Sequence, residues 1–254
     1  MDEQKYNLEQ SIAELDKLLD LSADQTDKTA CEDLAEKARI IYEQYPKSED
    51  IALRYAMTLT NLSINQTKVD EIVKIAQEIK KIYKKFNKPQ DIALQYSRAL
   101  VSLSAEQTKA DEIAKIAQEI KEIYKKFNEP QVIALSYAMA LANLSAEQTK
   151  ADEIAETAQE IKEIYKKFNE SQEIALSYAV ALVNLSAKQD NVEDRLNTVN
   201  EVKQIFDSFK HSESIALRYA MALVNLSAKQ DNVKDLLNTV NEVKQIFDSF
   251  KHSE

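Results

Sequence analysis

Residues 133–145 read IALSYAMALANLS, and the same phrase stands four more times in the chain: IALRYAMTLTNLS from Ile51, IALQYSRALVSLS from Ile92, IALSYAVALVNLS from Ile174 and IALRYAMALVNLS from Ile215. Each start falls 41 residues after the one before. A fixed period of this size marks an array in which one supersecondary unit, unable to bury its apolar face alone, stacks on its neighbours. One period back from Ile51 lies Gln10, where QSIAELDKLLDLS keeps a closing Leu-Ser but is more polar, as a terminal unit with one face in water requires. Six units follow, at 10–50, 51–91, 92–132, 133–173, 174–214 and 215–254, with residues 1–9 extending the first helix.

The 254 residues include no Gly, no Trp and only 3 Pro, which removes most of the residues that tight hairpins and phosphate-cradling loops depend on. Helices joined by short links are what remain. In the fourth unit Ile154, Ala158, Ile161, Tyr165 and Phe168 recur at steps of four and three, one continuous apolar stripe of a second helix, with Glu163 and Lys167 spaced as a surface pair. Ahead of each second helix stands a side chain able to accept from free first-turn amides: Thr26, Thr67, Thr108, Thr149, Asp190 and Asp231. After the stripe, Asn87, Asn128 and Asn169 suit a left-handed helix end, and Pro89 or Pro130, with Ser48, Ser171 or Ser212 in the other units, opens the next helix. Such breakers interrupt any heptad run, so a continuous coiled coil is disfavoured. The expected fold class is all-α, an α-α solenoid of six two-helix repeats.

Thirty-three basic against 43 acidic residues give a net charge of −10, which repels a phosphate backbone or an anionic membrane and argues against either as a partner. The first residues, MDEQKYNLEQ, are acidic and polar where a secretory signal has a basic start and an apolar core, and no stretch approaches the ~20 apolar residues of a membrane span. A cytoplasmic location follows, in keeping with the single Cys31, which is expected to be a plain core or surface thiol. The Asn-x-Ser/Thr triplets at Asn61, Asn65, Asn143, Asn184 and Asn225 then read as helix residues rather than glycan acceptors.

Tyr137-Ala138, Leu141 and Leu144-Ser145 resemble the first helix of the tetratricopeptide repeat, and Pro130, eight residues ahead of Ala138, resembles that family's inter-repeat proline. The unit departs from the family in its 41 residues against about 34, in lacking Trp, and in placing Ala and Ser where Gly is usual. The extra length falls between Ser104 and Pro130. A unit of this length also lies within the span of armadillo and HEAT repeats. The resemblance implies that first helices line a concave, partner-binding surface.

In its five clear copies the first-helix phrase has no acid, and its only charges are Arg54, Arg98 and Arg218. Three positions share one helix face and recur as columns: Arg54, Met57, Asn61; Gln95, Arg98, Ser102; Ser136, Met139, Asn143; Ser177, Val180, Asn184; and Arg218, Met221, Asn225. Asn and Arg there suit the backbone and carboxylates of an extended peptide, and Met supplies adaptable apolar contact. Units five and six differ at four of forty positions, two of them in these columns: Ser177 against Arg218, Val180 against Met221, Glu193 against Lys234, Arg195 against Leu236. The expected function is a protein- or peptide-binding scaffold, with a structural spacer or oligomerising arm as the alternative.

Catalysis, cofactor and metal are not expected. His211 and His252 occupy one position of adjacent units, about 10 Å apart at helix-packing distance, too far to share an ion. The recurrent Tyr and Phe read as core. The last unit stays apolar at Leu236, Leu237, Val240, Val243, Ile246, Phe247 and Phe250, so either the array continues in a longer protein or this end self-associates.

Overall fold

The computed structural model describes residues 3–87, 89–229 and 232–250 as twelve α-helices: α1 (Glu3–Ala23), α2 (Lys28–Gln44), α3 (Glu49–Ile64), α4 (Val69–Lys85), α5 (Gln90–Glu106), α6 (Ala110–Lys126), α7 (Gln131–Glu147), α8 (Ala151–Lys167), α9 (Gln172–Lys188), α10 (Val192–Ser208), α11 (Glu213–Ser227) and α12 (Val233–Phe250). Among the described residues there is no strand. Each 41-residue unit is a pair of helices, so the chain has the all-α fold of a six-repeat helical solenoid.

The chain divides into two compact units, residues 1–108 with 118–136, and residues 109–117 with 137–254. In the first, α1, α3 and α5 lie side by side, α2 packs on both α1 and α3, and α4 on both α3 and α5. In the second, α9 and α11 lie side by side, α10 packs on both, α8 packs on α9 and α12 on α11. The second helix of a pair thus seats between two first helices. Small residues permit the close approach: Ala52, Ala56, Ala93, Ala134, Ala138, Ala175 and Ala179 are fully buried. The second-helix stripe supplies the bulk through Ile72, Ile79, Ile113, Ile120, Ile154 and Ile161, also fully buried, each contributing roughly 1.5–3 kcal/mol relative to exposure.

The helix starts require a correction. Caps of the second helices fall one residue later than the Thr/Asp column: Asp27 accepts from Ala30 N at 2.9 Å, Asn191 from Glu193 N at 2.7 Å, and Asn232 from Lys234 N at 2.9 Å. Lys68 and Lys150 occupy the cap of α4 and α8 without a side-chain bond. In α6 the Lys109 carbonyl takes the first helical bond, from Ile113 N at 3.1 Å. The cap residue is the one whose extended backbone turns into the helix; at Lys68 ψ is 116°, which leaves Thr67 outside. Acidic first turns, Asp70-Glu71 and Asp152-Glu153, offset the missing caps by facing the positive end of the helix dipole. Asp231 lies outside the described residues.

The links before the first helices match their reading more closely. Ser48, Ser171 and Ser212 cap α3, α9 and α11, each accepting from the amide three residues on. Pro89, at φ −65°, is the cap of α5. Asn87 and Asn128 take positive φ of 56° and 58°, as their type allows. Asn169 does not: the chain leaves α8 through a turn closed by Ser171 N donating to Phe168 O at 3.0 Å.

Candidate functional site

The three columns on the first helices meet three different fates. In the first column Gln95, Ser136 and Ser177 are buried. Ser177 Oγ donates back to Glu173 O at 3.0 Å. Arg54 is half-buried and holds Asp16 of α1, Nε to Oδ1 at 2.6 Å, while Arg218 lies along Met221, Nη1 to Sδ at 3.4 Å.

The third column is a ladder between repeats. Asn61 Nδ2 donates to Ser22 Oγ at 2.8 Å, Asn184 to Ser145 at 2.9 Å, and Asn225 to Ser186 at 2.9 Å and also to Val183 O at 3.1 Å. Each accepting serine spends its own proton on the carbonyl three residues back: Ser22 on Leu19 O at 2.8 Å, Ser145 on Ala142 O at 2.6 Å, Ser186 on Val183 O at 2.8 Å. That fixes the hydroxyl rotor and leaves its lone pairs facing the next repeat. Where the asparagine is replaced, Ser102 Oγ lies 3.2 Å from Ser63 Oγ. Asn143 is half-buried at the same position. The closing serine of the phrase was the signal for this ladder, since it recurs in all six units, more strictly than the asparagine from which it accepts.

The middle column faces outward. Arg98, Met139 and Met221 are exposed, the two methionines at 42% and 39%, and Met57 and Val180 are half-buried. Leu217 and Val224 of α11 are exposed as well.

A second set of contacts ties first helices to second helices. Tyr96, Tyr137, Tyr178 and Tyr219 donate their hydroxyls to Glu119, Glu160, Glu201 and Glu242, at 2.8, 2.5, 2.5 and 2.5 Å. Lys80 binds Glu119 at 2.5 Å, Lys203 binds Glu242 at 2.7 Å, and Lys162 pairs with Glu201. Three of the rings lie against an aromatic of the preceding second helix: Tyr83 and Tyr96 at 6.2 Å, Tyr165 and Tyr178 at 5.8 Å, Phe206 and Tyr219 at 5.5 Å between centroids. Burial first, and then the hydrogen bond to the carboxylate, raise these hydroxyls well above the ordinary tyrosine range. Burial opposes ionisation of Glu242, yet Lys203 and the Tyr219 hydroxyl together hold its carboxyl below the usual value. Such a network locks helices together and keeps its protons. Tyrosine columns read as core in the sequence are therefore core with one polar tip, whose carboxylate partner sits 23 residues on.

Shallow grooves open between successive second helices. One of about 210 Å³ lies over Lys80, Tyr83, Glu119 and Lys126, and one of about 230 Å³ over Lys162, Tyr165, Glu201 and Ile205. A larger one, about 660 Å³, lies between α10 and α12 over Val192, Leu196, Tyr219 and Leu223. Cys31 is buried beside Asn65, whose Nδ2 lies 3.5 Å from its sulfur, and burial pushes the thiol pKa up. His211 is exposed, and His252 lies outside the described residues. Arg195 is buried in the column held elsewhere by Ile72, Ile113 and Ile154, its guanidinium donating to the carbonyls of Gln189 and Asn225. Among the described residues no helix is long and apolar enough to cross a membrane.

Fold and contacts together define an all-α helical-repeat protein. No protein-family model matches the chain, and no curated protein and no solved structure matches it.

Proposed function

We propose that this chain is a non-catalytic protein- or peptide-binding scaffold of tetratricopeptide-like design, working without cofactor or metal in the cytoplasm, with its contact surface on the middle column of the first helices. The observation that carries this reading is the contrast between columns. Most flanking positions are engaged within the fold, Gln95, Ser136 and Ser177 by burial, Arg54 by Asp16, and Asn61, Asn184 and Asn225 by the Asn–Ser ladder, whereas Met57 and Arg98 in one compact unit, and Met139, Val180 and Met221 in the other, stand partly or fully open and change identity from repeat to repeat. Exposed methionines adapt to a partner's shape, and an arginine fixes a carboxylate. Asn61, Ser102, Asn143, Asn184 and Asn225 then serve chiefly to space the repeats, a shift from the peptide-reading role their sequence suggested.

The test is a random peptide library displayed against the immobilised chain, followed by titration calorimetry with the selected peptides. Met139→Glu with Met221→Glu in one unit, and Arg98→Glu in the other, should weaken binding at least tenfold with helicity unchanged. Affinity that survives all three rules out this face. The spacer reading draws on the closed ladders; under it, deleting residues 133–173 alters function while the column variants leave it intact.

A further inference from the structure

At two seams between repeats the same pair of backbone carbonyls is gripped by a single side chain, and the two side chains are of different kinds. In the first compact unit Asn65 Nδ2 donates at 3.1 Å to Gln25 O, just beyond α1, and at 3.1 Å to Asn61 O, in the last turn of α3. In the second, the Arg195 guanidinium donates through Nη2 to Gln189 O, at the residue that ends α9, and through Nη1 to Asn225 O, in the last turn of α11. Gln25 and Gln189 are one repeat position four periods apart, and so are Asn61 and Asn225.

The donors come from different columns. Asn65 stands where unit six has Lys229, and Arg195 stands where unit one has Cys31. The short Cys31 leaves room for the Asn65 amide, which lies 3.5 Å from its sulfur. At the other seam Lys229 turns outward to Asp190 at 3.4 Å, and Arg195 reaches the carbonyls instead. Between these units the column holds Ile72, Ile113 and Ile154, fully buried and unable to donate. Two unrelated side chains that converge on equivalent carbonyls mark the carbonyl pair as the feature being served.

The last carbonyls of a helix lack a partner within it and form the negative end of its dipole. Arg195, only 3% exposed, sets a full positive charge between two such ends, α9 on one side and α11 on the other. Its planar fork reaches both at once. The buried Nε has no partner, so the two carbonyl bonds are the polar anchorage of this side chain. Repeat arrays open pair by pair wherever a seam is weak. We propose that the arrangement is a latch: one donor seals the free carbonyl ends of two successive first helices, so that α11 and α12 stay seated on α9 and α10 until the compact unit opens as a whole. Asn65 performs the same task between α1 and α3.

The test transplants one latch onto the other seam. Arg195→Cys removes the guanidinium and installs the residue of unit one, and Lys229→Asn installs the counterpart of Asn65. Amide hydrogen exchange of the full chain, read by mass spectrometry under reducing conditions, follows each helix separately. Arg195→Cys alone should speed exchange in α11 and α12 by about tenfold while α8 and α9 keep their rates, because the pair then opens by itself. Lys229→Asn alone removes an exposed ion pair and should change exchange by less than about twofold. The double variant should return to within about threefold of the parent. A double variant no better protected than Arg195→Cys, or an Arg195→Cys chain whose α11 stays as protected as before, overturns the proposal. Should Arg195→Cys fail to fold, circular dichroism of the double variant decides: recovered helicity supports the transplanted latch, and continued loss refutes it.

Discussion

Tyr178→Phe isolates one polar bond of the inter-helix network. The ring stays, against Tyr165 at 5.8 Å, and only the hydroxyl that donates to Glu201 at 2.5 Å is lost. A hydrogen bond to a charged group contributes about 1.5–3 kcal/mol. The Glu201 side chain is 29% exposed and keeps Lys162, so water can replace the lost donor, and the cost falls near the lower bound, about 1.5 kcal/mol. For a chain of this length that lowers Tm by about 3–6 °C. The assay is urea unfolding followed by circular dichroism, reading the midpoint at constant slope. Glu201→Gln and the double variant complete a cycle, with an expected coupling of about 1 kcal/mol. A Tyr178→Phe protein within about 0.3 kcal/mol of the parent, or two substitutions that simply add, would refute the view that the hydroxyl–carboxylate bond holds α9 to α10.

Asn184→Ala should lose about 1 kcal/mol with its ladder bond, whereas Met139→Ala on the exposed column should change stability by less than about 0.5 kcal/mol; equal effects in urea unfolding would contradict the division between packing and contact columns. Lys68→Ser places a capping hydroxyl at the uncapped start of α4 and should stabilise by up to about 1 kcal/mol, read as a raised thermal midpoint. Tyr55, Tyr96, Tyr178 and Tyr219 hold their protons more tightly folded than unfolded, so their contribution is full below the unfolded tyrosine value of about 10 and is lost as pH climbs above it. Urea midpoints should accordingly stay level to about pH 9.5 and fall beyond it; a level profile to pH 11.5 would be the contrary result. Cys31, buried with a raised pKa, should react with a thiol reagent at pH 8 only in denaturant.

The 41-residue period and the two-helix unit were legible because they rest on local patterns: the Ile and Ala positions of the stripes, and the Ser and Pro caps of α3, α5, α9 and α11. Errors arose where neighbours decide. Thr67 has the better capping side chain, but the link between α3 and α4 turns into the helix at Lys68. Asn169 is of a type that suits a left-handed helix end, but the link after α8 closes instead through Ser171 N donating to Phe168 O at 3.0 Å. The candidate columns were visible as a face, because angular position follows from spacing. How near the next helix comes to that face does not, and it is this approach that closes on Asn61, Asn184 and Asn225 while leaving Met139 and Met221 open.

The ladder also sets a hazard for refolding. Units five and six are nearly the same sequence, so a chain in which the sixth hairpin lands on the fourth, looping out the fifth, would satisfy the same kinds of contact: Asn225 on Ser145, Glu242 on Lys162, Tyr219 on Tyr165. Docking chemistry alone barely separates the two registers. What separates them is the entropy of closing a longer loop, a penalty that grows only logarithmically with length, together with the packing of the fifth pair that the skipped register forfeits. Emergence from the ribosome in order, with each hairpin seated before its near-duplicate is made, is the simplest protection such an array has.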